Sequence, residues 1–315
     1  MEALHGADPL RYKVAGLCRL FGVTKQAYYK TQSEAFALSS EKEMEIAVFC
    51  HAERSTDPLI GCRKLWILFV KDHWAVSRRV FEDVLRSYGL MLKIRRRSTR
   101  TTNSLHGLPV YPNLVYNVIP QRPCQVWVAD ITYVTLRNPD GTTRFCYLSV
   151  VMDAYSRYIL GYYAGMTLET VYYTIALTMA IETSARLRLD TSSLIHHSDR
   201  GVQYASAEYV KILNSNHIGI SMTENGNPKD NPQAERINST IKNELLNGME
   251  FSTIDHLQRA LAAKIPYYNE RRPYMSLSYL TPLEALGHTG VLEKKWHSYR
   301  DEAIEREKGA QKQTT

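Results

Sequence analysis

The chain has 315 residues, 44% hydrophobic and 23% charged, proportions ordinary for a folded protein of two or three domains with a sizeable core. No apolar run reaches the roughly 18 residues of a membrane span, no basic start or apolar stretch suggests a secretion signal, and five widely spaced cysteines suit reduced thiols in a cytosol rather than a disulfide frame. The net charge of +7 is uneven: residues 1–110 hold 18 Lys or Arg against 11 Asp or Glu, while the remainder holds 21 of each.

That split predicts a basic nucleic-acid grip followed by a chemistry module. Residues 14–29 read as a helix-turn-helix unit, with Gly22 at the turn and Thr24 capping the second helix. Apolar residues at 14, 17, 20 and 21 suit packing of the first helix, and Lys25 and Gln26 start the second, where a groove contact is expected. A second pair follows. Residues 62–71 form one helix, and Ser77 caps another that opens with Arg78 and Arg79 and ends at Gly89. Immediately after come Lys93, Arg95, Arg96, Arg97 and Arg100, closely spaced cations suited to phosphates. Residues 101–124 are punctuated by Gly107, Pro109, Pro112, Pro120 and Pro123 and read as a linker.

Residues 125–135 are rich in β-branched and aromatic side chains and read as a strand with Asp130 near its middle. Leu194–Ser198 reads as a buried strand whose end carries Asp199, the position where open α/β sheets keep their sites. Asp230 or Asn231 can cap a helix with Pro232 at its first position, which puts Glu235 in the first or second turn. Lys242, seven residues on, then shares its face. His197, two before Asp199, shares the strand face of that acid; a supporting or phosphate-facing role and simple packing both remain open for it. Asp153 belongs at a strand end before a turn and is read as structural. A helix over 168–188, with Val171, Ile175 and Met179 at helical spacing, and a short strand at 219–222 complete an α/β pattern. Residues 252–255 resemble a capping box, opening a helix that Pro266 is expected to kink. A further charged helix is expected over 292–308, then a disordered tail.

Spacing alone proves little among 32 acids, but the wording around these three is specific. Val126–Tyr133, His197–Tyr204 and Asp230–Arg236, together with 147–157, 159–163 and 265–284, closely resemble the motifs of DDE transposases. The match is nearest to the OrfB-type transposases of the insertion-sequence-three (IS-three) family, relatives of retroviral integrases. The chain departs from the family's wording after the glutamate, where Ser-Phe-Phe is usual and Arg236-Ile237-Asn238 stands here.

The resemblance implies a ribonuclease-H-like integrase core, a mixed five-stranded sheet with helices, preceded by all-α helix-turn-helix modules. The segments implied are 1–35 and 36–100 for the two helical modules, 101–124 for the linker, 125–250 for the core and 251–315 for a helical extension and tail. A fragment starting near residue 120 is then expected to fold yet lose most DNA affinity. Asp130, Asp199 and Glu235 are the expected metal ligands and catalytic acids, with Asp130 bridging two Mg²⁺ (or Mn²⁺ as substitute) and the others holding one each. Lys242 and Arg236 are expected on DNA phosphates. Histidines and cysteines are too scattered for a zinc module, so no zinc is expected. The implied activity is cleavage and strand transfer of DNA at terminal inverted repeats, with insertion into target DNA. The implied partners are those DNAs, further copies of the chain in a synaptic complex, and an OrfA-type protein or fusion, at a bacterial, nucleoid-associated cytoplasmic location. A non-joining metal nuclease of the same fold is disfavoured by the basic N-terminal third, and an inactive or domesticated DNA-binding relative by the three intact acids.

Overall fold

The structure is a computed structural model and describes residues 13–31, 34–92, 109–224, 231–293, 302 and 304. It divides into two compact units, residues 1–53 with 69–91, and residues 54–68 with 92–315. The basic run at Lys93, Arg95, Arg96, Arg97 and Arg100 lies outside the described residues, as does most of the expected helix over 292–308, of which Glu302 and Ile304 are helical.

The first unit is helical: α1 (Val14–Leu20), α2 (Lys25–Thr31), most of α3 (Glu34–Thr56), the end of α4 (Cys62–Asp72) and α5 (Arg78–Ser87). Gly22 turns the chain at φ 67°, and Thr24 Oγ1 accepts the Ala27 N–H at 3.1 Å, so both sequence signals of the first turn act as expected. The packing of α1 differs from expectation. Leu17 and Cys18 are buried, whereas Leu20 and Phe21, at the end of the helix, are exposed. Ser77 caps α5 by accepting the Val80 N–H, and Phe49, Phe69 and Phe81 form an aromatic centre.

The second unit holds a five-stranded mixed sheet in the order β3-β2-β1-β4-β5. Its strands are β1 (Val126–Arg137), β2 (Thr143–Asp153), β3 (Ile159–Gly165), β4 (Ile195–Ser198) and β5 (Gly219–Met222). The first three pair antiparallel; β4 and β5 add in parallel beside β1. This is the ribonuclease-H-like sheet the family resemblance implied.

One sheet face carries α6 (Thr170–Arg186) and α7 (Ala207–Ser215) over Trp127, Ala129 and Val151. The other carries α8 (Pro232–Thr240) and α9 (Ile254–Glu270) over Val128, Leu148 and Val150. The inward side of α6 is Tyr173, Ala176, Leu177 and Ala180, not the expected Val171 and Ile175, which are exposed. Small residues win that face because backbone approaches backbone there: a Cβ on Gly161 of β3 would run into the Ala176 carbonyl. The α9 cap is Thr253, whose hydroxyl accepts the His256 N–H, and the helix continues through Pro266 to Glu270. A reciprocal capping box occurs instead at Thr281 and Glu284, opening α10 (Pro282–Ala285).

Candidate active site

β1 can hold an acid at its middle because β4 pairs only with Val126–Val128, leaving the strand beyond open on that side. Asp130 sits two residues past that pairing, on the face covered by α8. Its Oδ1 accepts the Ile131 N–H at 2.9 Å and its Oδ2 accepts the Asn238 amide at 2.9 Å. Burial, and then the Asp199 carboxylate, push the Asp130 acid up to about 7, with Glu235 adding a smaller push. Asp199 follows the last residue of β4 and accepts the Gly201 N–H at 2.9 Å. A Cβ at Gly201 would stand 3.0 Å from Asp199 Oδ1 and crowd that carboxylate.

Glu235 stands in the first turn of α8, exposed as a residue, while partial burial of its carboxyl raises its acid above the ordinary range. Asn231 is the helix N-cap but makes no side-chain cap; its amide instead donates to the Ala129 carbonyl at 3.1 Å. Asn231 and Asn238 are seven residues apart and share a helix face. They pin α8 to β1 on either side of Glu235.

Among the described residues, no three His, Cys, Asp or Glu side chains close into a metal-ligand set. Asp130 and Asp199 nonetheless fit a hard divalent cation: both offer carboxylate oxygens, and the mutual repulsion that raises Asp130 is what a bound cation relieves. Glu235 acts on Asp130 more weakly than Asp199 does.

The other sequence candidates fall in different places. Lys242 is half-buried, and its Nζ lies 3.9 Å from the centre of the Tyr133 ring. It belongs to a π-helical turn, Ile241–Leu245, which interrupts the plain α-helix expected to carry it onto the Glu235 face. Burial lowers its ammonium below the ordinary lysine range. Arg236 is exposed and pairs with Glu244 at 3.1 Å. His197 is buried, with Nδ1 2.9 Å from Ser221 Oγ, and lines a cavity of about 30 Å³ under the start of α8. Lys25, Gln26, Arg78 and Arg79 are all exposed in the first turns of α2 and α5, with Arg78 paired to Glu82.

Asp153 is fully buried and accepts from the Cys124 and Ser156 N–H groups and the Ser156 hydroxyl, so its oxygens are committed to the turn after β2. The sequence reading missed Asn238, legible only as the odd residue in the motif. It also missed Tyr204, whose buried phenol is pushed well above the ordinary range, by burial first, then by Tyr209, with Asp199 and Asp130 adding less.

Integrase core domain families match residues 120–228 and 216–282. The chain is 32% identical over 272 residues to the insertion element IS600 uncharacterized 31 kDa protein of Shigella sonnei, covering 84% of this chain and 96% of that one. It is 27% identical over 286 residues to the transposase for insertion sequence element IS629 of Shigella sonnei, covering 88% and 93%. It is also 27% identical over 248 residues to transposase InsF for insertion sequence IS3A of Escherichia coli, covering 76% and 82%.

Proposed function

The chain belongs to the integrase-core transposases of insertion sequences, the IS-three family, and from that premise we propose how its residues cut and join DNA. It is a DDE transposase, a polynucleotidyl transferase that breaks phosphodiester bonds at insertion-sequence ends and transfers the freed strands. The catalytic acids are Asp130, Asp199 and Glu235. The observation that carries this reading is geometric: the strand that ends just before Asp199 pairs with β1 to within two residues of Asp130, and the helix bearing Glu235 is tied to β1 through Asn231 and Asn238.

A divalent cation bound by these carboxylates supplies activation of an attacking oxygen and relief of charge on the leaving one. The expected cations are two Mg²⁺, with Mn²⁺ as substitute. Asp130 and Asp199 would hold the cation, with Glu235 of α8 supplying a further carboxylate. Asn238 holds Asp130 Oδ2, which leaves the carboxylate one orientation in which to present its remaining lone pairs. Arg236 on α8 and Lys242 in the turn that continues it are assigned to phosphates of the bound end. Lys25, Gln26, Arg78 and Arg79, with the basic run 93–100, are assigned to DNA outside the reacting centre. Two DNA ends must be joined in one event, so the acting species is assigned as an oligomer, with an OrfA-type partner or fusion supplying a further grip. A bacterial, nucleoid-associated cytoplasmic location is assigned from the DNA substrate and the bacterial transposases the chain is similar to; among the described residues no helix is long and apolar enough to cross a membrane.

The test uses oligonucleotides carrying the element's ends, with Mg²⁺. Asp130→Asn, Asp199→Asn and Glu235→Gln are each expected to abolish cleavage and joining while leaving the folded spectrum intact, because an amide keeps shape but loses charge. Substantial joining by any one variant removes that residue from the site. Cleavage without joining by the unaltered protein overturns the strand-transfer reading in favour of a nuclease.

A further inference from the structure

Arg272 follows α9 in the chain, and its side chain is only 1% exposed. Its Nε donates to Oδ2 of the equally buried Asp57 at 2.8 Å, and its Nη2 donates to the Glu244 carboxylate. The other Glu244 oxygen accepts Arg236 Nη2 at 3.1 Å. Four side chains of alternating sign thus connect: Asp57, Arg272, Glu244, Arg236. Arg272 also lies 5.7 Å from the centre of the Tyr274 ring, over which Lys64 sits at 5.3 Å.

Stability alone does not account for such a network. Burying charge is costly, and an apolar cluster of the same volume often serves as well or better. The network is also incompletely satisfied: Asp57 Oδ1 and Arg272 Nη1 are buried with no hydrogen-bond partner among the described residues. What a guanidinium does that an apolar group cannot is impose direction, because its planar fork holds two carboxylates at fixed angles.

The direction falls on one unusual turn. Glu244 belongs to the π-turn Ile241–Leu245, closed by the Leu246 N–H on the Ile241 carbonyl at 2.9 Å. Such turns are rare and concentrate at functional sites. This one continues α8 directly, downstream of Glu235 and Asn238, and contains Lys242 over Tyr133. If the turn rewound to α-helical geometry, every side chain beyond it would rotate relative to β1. Two arginines grip its single glutamate.

We propose that Arg272 is a positioning residue for strand joining: through Glu244 it holds both Arg236, the chain neighbour of Glu235, and the π-turn that carries Lys242 over Tyr133 of β1. The proposal rests on the reading that Glu235 and Lys242 belong to the DNA-processing site.

The test uses the full chain with Mg²⁺ and end oligonucleotides. It compares Arg272→Met, Arg272→Lys and Glu244→Gln with Leu213→Ala, a core variant on the opposite face of the sheet, at temperatures equally far below each melting point. Two quantities are read: kcat and KM for joining, and amide hydrogen exchange over residues 236–248. Arg272→Met and Glu244→Gln are expected to lower kcat at least tenfold, leave KM for DNA within twofold, and speed exchange at 241–246. Arg272→Lys, which keeps charge but loses the fork, is expected to fall between, and Leu213→Ala to change neither quantity. Wild-type kcat in folded Arg272→Met overturns the proposal, and so does an equal loss in Leu213→Ala. If Arg272→Met fails to fold, wild-type kcat and exchange in both Arg272→Lys and Glu244→Gln overturn it. Full joining by Glu235→Gln would instead remove the underlying site assignment, while the exchange result would still report whether Arg272 holds the turn.

Discussion

The Asn238 amide donates to Asp130 Oδ2 at 2.9 Å, from a helix position where the family's usual wording has phenylalanine. Its own Oδ1 is buried with no hydrogen-bond partner among the described residues. An amide kept in that half-satisfied state is explained by what its donor does to the aspartate. A hydrogen bond to a charged group contributes about 1.5–3 kcal/mol. Asn238→Ala should therefore lower joining by roughly tenfold or more while barely affecting DNA affinity, and Asn238→Asp, which sets a third negative charge against Asp130, should be worse. Measured joining rates at saturating DNA check this; an unaffected Asn238→Asp removes the residue from the site.

Divalent cations should stabilise the protein by mass action, since they bind the folded site and not the unfolded chain. Mg²⁺ or Mn²⁺ is expected to raise the melting temperature of the unaltered protein and to have no such effect on Asp130→Asn or Asp199→Asn. Glu235→Gln should keep part of the shift, because Glu235 is exposed and acts least on Asp130. Thermal melts across a metal titration decide; an equal shift in Asp130→Asn places the binding elsewhere.

Lys242 is anchored as well as charged. Its contact with the Tyr133 ring, partly desolvated, stabilises by about 0.5–1 kcal/mol. Lys242→Ala should cost about that much stability, contrary to what a solvent-facing lysine would show, and should weaken crosslinking of the turn to the terminal nucleotides. Tyr133→Leu should reproduce the loss of positioning without removing the charge. Undiminished end processing by Lys242→Glu would return it to the ordinary surface lysines.

Asp57 alters the expectation for a truncated core. A chain beginning near residue 120 lacks Asp57 and the segment around it, so Arg272 loses both its partner and part of its cover, while Asp57→Ala in the full chain leaves the guanidinium buried without that partner. Removing one member of a buried ion pair costs about 3–5 kcal/mol. Such a fragment should melt far below the full chain or not cooperatively, and Asp57→Ala in the full chain should reproduce a large part of the loss. Calorimetry of both variants checks this; a fragment as stable as the whole chain would show the pair to be dispensable.

Lys64 supplies a pH dependence. Burial first, then the Arg272 guanidinium, bring its ammonium down from 10.5 to about 7. The unfolded chain keeps that proton up to about 10.5 while the folded chain releases it near 7. Between those values the unfolded state binds more protons, so stability from this group rises with pH across that window. Urea denaturation at pH 6, 7.5 and 9 should show the rise in the unaltered protein and a flatter profile in Lys64→Met. Identical profiles would remove Lys64 as its source.

Much of the core was legible because its signals are local. The β-branched run around Asp130, the short apolar run before Asp199, Gly22 with Thr24, and Ser77 act through neighbours only a few residues away. The failures were those of helix facing. Val171 and Ile175 have the periodicity of a buried stripe, yet the sheet selected Ala176 and Ala180, because close approach over Gly161 rewards small side chains.

What the sequence by itself determined is the strand carrying Asp130, the strand end carrying Asp199, the Pro232 start of the Glu235 helix and the uneven spread of charge. Each follows from propensity, patterning or composition over short windows. Tertiary structure alone decided that Asn231 and Asn238 grip β1 instead of capping or packing, that the helix slips into a π-turn at Ile241, and that Asp57, Glu244 and Arg272 share one buried network. Those outcomes join residues up to 215 positions apart. No local preference encodes such a pairing, because the desolvation that makes these polar partners seek one another exists only after the chain has folded around them.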